Sequence, residues 1–111
     1  MRAGDLTIDL GEADSTAKPT AWQGPISLGH PGGPSCSVDP AVSIVERPIF
    51  LDGPHLLVTT YSGSNRVVFA IDTATCQVLW RSRPFVGQVG LQDNMLHTGN
   101  RTAKLETDCV P

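Results

Sequence analysis

Glycine and proline divide this chain in two. Fourteen of its twenty Gly and Pro residues fall within the first 54 positions, clustered at Gly24-Pro25 and His30-Pro31-Gly32-Gly33-Pro34. Neither residue type supports a helix or a central strand, so the first half is predicted to be mostly irregular. One short strand is expected in it, because Leu6, Ile8 and Leu10 alternate with Thr7 and Asp9 and place three apolar side chains on one face. Residues 11–20 read as a polar connection, with Trp22 and Ile26 as anchors of the loop that follows.

From Pro48 onward the texture changes to short β-type runs separated by turn signals. Ile49-Phe50-Leu51 is followed by the turn-forming Asp52-Gly53-Pro54, and Leu56-Leu57-Val58-Thr59-Thr60-Tyr61 is rich in β-branched and aromatic residues. Ser62-Gly63-Ser64-Asn65 breaks that run before Arg66-Val67-Val68-Phe69-Ala70-Ile71 resumes it, a strong hairpin signal. A third run, Cys76-Gln77-Val78-Leu79-Trp80-Arg81, puts Cys76, Val78 and Trp80 on one face by alternation. Weaker strands are expected at 87–91, 95–98 and 102–105, with turns at Gln92-Asp93-Asn94 and Gly99-Asn100. No segment sustains an apolar period near 3.6, so helix is limited to one short turn near Ala41 to Val45. The predicted fold is all-β: one domain over 1–111, a single antiparallel sheet or meander of about five to seven short strands. Residues 1–47 are mostly irregular and 48–106 form the meander, present in one copy.

At 111 residues the core is small and a multi-domain enzyme is excluded. Eight Lys/Arg against eleven Asp/Glu give a formal charge of −3, with no basic run suited to a phosphate backbone, so nucleic acid is not an expected partner. No stretch reaches the roughly 20 apolar residues of a membrane span, and no membrane insertion is expected. The opening Met1-Arg2-Ala3-Gly4-Asp5-Leu6 lacks the apolar run of a signal peptide, so a soluble chain is expected, and an exported one would have lost its leader. Cys36, Cys76 and Cys109 permit one disulfide and one free thiol, in any of three pairings. A bridge would suit a core this small.

No catalytic residue is predicted, and the protein is not expected to be an enzyme. There is no Gly-x-Ser-x-Gly elbow, and Ser62-Gly63-Ser64 at a hairpin tip has neither base nor oxyanion hole. Cys76 in an apolar pattern reads as buried or bridged. There is no C-x-x-C, and His30, His55 and His97 lack metal-ligand spacing, so neither metal nor cofactor is expected. The three histidines read as surface or loop residues, and Asn100-Arg101-Thr102, a match to the glycosylation sequon, reads as a hairpin turn. Ser62, Gly63, Ser64 and Asn65 are candidate partner-binding residues. A hairpin tip presents hydroxyls that donate and accept, and Gly63 lets backbones approach closely. Tyr61 and Arg66 flank the tip, and both residue types are enriched at interface hot spots.

The stretch from Tyr61-Ser62-Gly63-Ser64-Asn65-Arg66 through Asp72-Thr73-Ala74-Thr75-Cys76-Gln77-Val78 resembles the periplasmic immunity proteins that neutralise type VI secretion peptidoglycan amidases. Those proteins share a Ser-Gly-Ser hairpin tip, an Asp-Ser/Thr-Ala-Thr-Cys turn and a cysteine about forty residues upstream, where Cys36 stands. The resemblance covers roughly half the chain. It implies a small periplasmic β protein that pushes a serine-bearing loop into the groove of a Cys–His amidase and blocks access to peptidoglycan. Ser62, Gly63 and Ser64 would form the plug, with Asn65 where another small polar residue is usual, and Cys36 would pair with Cys76.

Residues 68–80 also resemble one blade of a quinoprotein-type propeller, in which an Ala-Leu-Asp-x-x-Thr-Gly-x-x-x-Trp pattern recurs; Cys76 replaces its Gly. A lone blade would leave its edges unpaired, so this likeness is read as shared hairpin geometry. The alternative function it supports is a non-inhibitory β interaction module of an exported or envelope protein.

Overall fold

The structure, a computed structural model, describes residues 2–3, 5–15, 17, 20–33, 35–62, 65–92, 95–99 and 101–104. Among them it has twelve strands and no helix. Strands β1 (Arg2–Ala3), β2 (Leu6–Asp9), β4 (Ser27–Gly29) and β5 (Cys36–Ser37) form a first sheet in that order. The central sheet runs β3 (Ala21–Trp22), β6 (Val45–Asp52), β7 (His55–Ser62), β8 (Asn65–Asp72) and β9 (Val78–Arg81). The third consists of β10 (Val89–Gln92), β11 (Met95–Thr98) and β12 (Arg101–Lys104). All strand pairings are antiparallel.

The expectation of a single sheet of five to seven strands with an irregular first half is therefore corrected. Most described glycines and prolines of the first half stand between strands, with Gly29 ending β4 and Pro48 inside β6. Strands of two or three residues, such as β1, β3, β4 and β5, are too short to show alternation. Pro48 lies within β6, at the register shift between Glu46 and Ile49, where the ladder needs no donor from it. Near the expected helical turn, the Val42 N–H donates to the Asp39 carbonyl at 2.9 Å and closes a turn outside any helix. Asp93, Asn94, Asn100, Leu105 and Cys109, on which expected turns, a strand end, the sequon and the third cysteine fall, lie outside the described residues.

The central sheet is covered on both faces. Leu56, Val58 and Ile71 point to one side and join Leu6, Ile8 and Leu28 of the first sheet, with Trp22 and Ile26, in one core. Leu57, Val68 and Ala70 point the other way and meet Leu96, with Phe50, Trp80, Phe85, Val89 and Leu91 packed around them. Hence every residue from His55 to Thr60 is buried, and the run Leu-Leu-Val-Thr-Thr has no polar face to alternate with. His55, expected at the surface, is only 7% exposed, because it opens β7 between Asp52 of β6 and Asp72 of β8.

Cys76 and Trp80 do not share a face, against the alternation pattern. Cys76 precedes β9 in a left-handed conformation (φ 63°) and packs in the first core, whereas Trp80 packs in the second. Of the three possible pairings, the bond formed is Cys36–Cys76, with Cα atoms 5.8 Å apart, tying β5 of the first sheet to the turn after β8.

One hairpin register of the meander recurs in the third sheet, although the meander as a whole does not. The register Ile49↔Val58, Phe50↔Leu57, Leu51↔Leu56, Asp52↔His55 recurs, each number raised by 40, as Val89↔Thr98, Gly90↔His97, Leu91↔Leu96, Gln92↔Met95. Leu56 and Leu96 both face the preceding sheet. At the positions where the central sheet turns Phe50 and Leu57 toward its successor, the third sheet carries Gly90 and His97.

Candidate functional site

The β7–β8 hairpin is the longest ladder of the molecule, eight pairs from His55↔Asp72 to Ser62↔Asn65. Its neighbours stop short of its end. On one side β6 pairs no further than Val45↔Thr60, and the Tyr61 N–H then donates to the Ile44 carbonyl at 3.2 Å. On the other, the last β9 pair is Phe69↔Arg81, after which the chain bulges and returns. Arg66 and Phe85 exchange two backbone hydrogen bonds, 2.8 and 2.9 Å. Ser62 and Asn65 are thus the first pair beyond the braced part of the sheet, and Asn65 is exposed. Gly63 and Ser64, the expected centre of the plug, lie outside the described residues.

Arg66 is engaged within the molecule. Its Nε donates to Glu46 Oε1, forming an ion pair, and its Nη1 donates to the Gly87 carbonyl at 2.8 Å. The two side chains are 35% and 18% exposed, so water screens the pair in part and its worth is modest. What the guanidinium does is tie β8 to β6 and to the 82–88 segment at the root of the hairpin end. Gly87 accepts there at φ 125°, and a Cβ on it would sit 2.9 Å from the Gly99 Cα, so this crossing of backbones requires glycine.

Tyr61 is half-buried at the same root. It borders a groove of about 430 Å³ with Ile44, Asn65, Val67 and Pro84. Ile44 is a β-branched residue at φ 59°, a conformation that favours Gly or Asn, and its side chain is 39% exposed.

Among the described residues no three His, Cys, Asp or Glu side chains gather to hold a metal ion. His30 Nε2 lies 2.7 Å from the Thr73 carbonyl, and His55 Nδ1 is buried with no hydrogen-bond partner among the described residues. Glu46, Ile44, Phe85 and Gly87 were not singled out in the sequence. Glu46 lies 20 residues from Arg66 and Gly87 lies 21, and no local pattern joins them.

No protein-family model and no curated protein matches the chain.

Proposed function

We propose that the protein is a binding module whose contact point is the end of the β7–β8 hairpin, and that its partner is a Cys–His peptidoglycan amidase of the type VI secretion class. In this reading Ser62, Gly63, Ser64 and Asn65 enter the amidase groove and exclude peptidoglycan, as the resemblance to the immunity proteins implies. The observation that carries the reading is the bracing below the tip. Tyr61 bonds to Ile44, and Arg66 bonds to Phe85, Glu46 and Gly87, so a narrow two-strand end stands on a fixed base. A base held in place beforehand leaves less of the contact region to be ordered on docking, which favours affinity. Tyr61 and Ile44 would supply apolar contact at the rim, while Arg66 acts as a positioning residue. The Cys36–Cys76 bond supports an oxidising compartment such as the periplasm.

The test mixes the purified chain with type VI amidases of Cys–His type and follows peptidoglycan cleavage. Wild-type protein is expected to stop cleavage by one of them, and Ser62→Arg with Ser64→Arg is expected to restore it. Inhibition that survives this double substitution overturns the plug.

A second reading rests on the recurrence of the hairpin register at a 40-residue shift and on the face-to-face stacking of the sheets. Both features suit a blade-like interaction module without inhibitory action. Binding to an envelope partner with no change in hydrolase activity would favour it.

A further inference from the structure

We propose that the cleft between the β9 edge of the central sheet and the third sheet binds a carboxylate carrying a compact apolar group. The cleft encloses about 170 Å³, and a cavity of about 150 Å³ is enough for benzene. Its inner wall is apolar: Leu96 is fully buried, and Trp80 and Phe85 pack beside it. Its rim carries Arg83 and Arg101, both exposed, with the hydroxyls of Thr98 and Thr102. Among the described residues no Asp or Glu lines it. Among the described residues neither arginine has an ion-pair partner, since the ion pair there joins Arg66 to Glu46.

Charge along the chain favours the same ligand. The protein is acidic as a whole, yet residues 47–104 hold six Lys/Arg against three Asp/Glu. Two of those six basic residues, Arg83 and Arg101, stand at this opening. A guanidinium grips a carboxylate through paired N–H donors, and threonine hydroxyls add further donors. Trp80 lines the same space. The rim is also fixed. Ser82 is 9% exposed, and its Oγ accepts from the Val68 N–H and donates to the Arg83 carbonyl, both at 3.0 Å, which holds the root of Arg83 against the central sheet. The site is separate from the hairpin end, so substitutions at Ser62 and Ser64 leave it intact.

The experiment is a ¹H–¹⁵N NMR titration of the full chain with N-acetyl-phenylalanine and with the peptide Ala-Ala-Phe, each as free acid and as C-terminal amide. The acids are expected to shift the Trp80 indole and the Leu96 and Thr98 amides in a saturable way, leaving the Trp22 indole unmoved. They should bind about tenfold more tightly than the amides, the scale of one charged hydrogen bond. Arg83→Gln and Arg101→Gln, both at exposed positions, should each weaken the acids by about the same factor without altering the rest of the spectrum. Tighter binding of the tripeptide would assign the end of a peptide, and equal binding a free acid. Equal binding of acid and amide, shifts confined to other residues, unchanged affinity in both arginine variants, or no saturable shift overturns the proposal.

Discussion

Removal of the Cys36–Cys76 bond is the perturbation whose size is most directly calculable. The bond closes a loop of 40 residues, and the chain-entropy relation for a loop of about that length gives roughly 4 kcal/mol at 25 °C. Domains are stable by about 5–15 kcal/mol, so this is a large share of the total. The structure shows why the cost is not absorbed elsewhere. β5 is held to the first sheet by two register pairs, Ser27↔Ser37 and Leu28↔Cys36, and the bond is its covalent tie to the central sheet. The measurement is urea unfolding of the Cys36→Ala, Cys76→Ala variant against the bridged protein, both carrying Cys109→Ala to prevent exchange. Alanine keeps the left-handed strain at position 76, where φ is 63°, so the comparison isolates the cross-link. At an m-value of about 1.5 kcal/mol/M, the midpoint should fall by about 2–3 M. A fall below about 0.5 M with unchanged m would refute the reasoning, since the bond would then restrict little of the unfolded chain.

Leu96 is fully buried and anchors the third sheet on Leu57, Val68 and Ala70, so Leu96→Ala should cost about 2–5 kcal/mol by thermal or urea unfolding. Leu79→Ala, at a side chain 41% exposed, should stay within about 0.5 kcal/mol. Asp14 gives a pH prediction. The Thr20 hydroxyl donates to its carboxylate at 2.7 Å, and the Thr20 and Ala21 N–H groups at 3.0 and 3.2 Å, which lowers its pKa from 3.8 to about 2. A lowered folded value means these bonds contribute fully above the unfolded pKa near 4 and are lost as pH falls toward 2. The Thr20 amide shift should therefore titrate with a midpoint near 2 and lose that step in Asp14→Asn; a midpoint near 4 would contradict the geometry.

The hairpin and the strands after it were legible because each has enough residues to display its turn and its composition. His55 to Asp72 reads as two β runs around Ser-Gly-Ser-Asn, and the register follows. Of the first sheet only β2 was legible, through the alternation of Leu6 and Ile8, because β5 is Cys36 and Ser37 alone and its partners are named only by the fold. Alternation also misplaced Cys76, since a left-handed residue before β9 turns it into the opposite core from Trp80. At the candidate site, Ser62 to Asn65 announce themselves as a tip. The brace beneath them does not, because Arg66 meets Glu46 and Gly87 only after three segments have folded together. The internal ties of Arg66, to Glu46 and the Gly87 carbonyl, could not be read from the sequence around it.

The recurrence of the hairpin register between the central and third sheets separates two instructions that usually travel together. The backbone geometry is copied at a shift of 40, but the side chains that would adhere to another layer are not: Phe50 and Leu57 are answered by Gly90 and His97. The copy keeps the shape of an adhesive unit while withholding its glue. Gly90→Phe with His97→Leu would restore the missing apolar pair and give that face of the third sheet a surface to which a second copy could adhere.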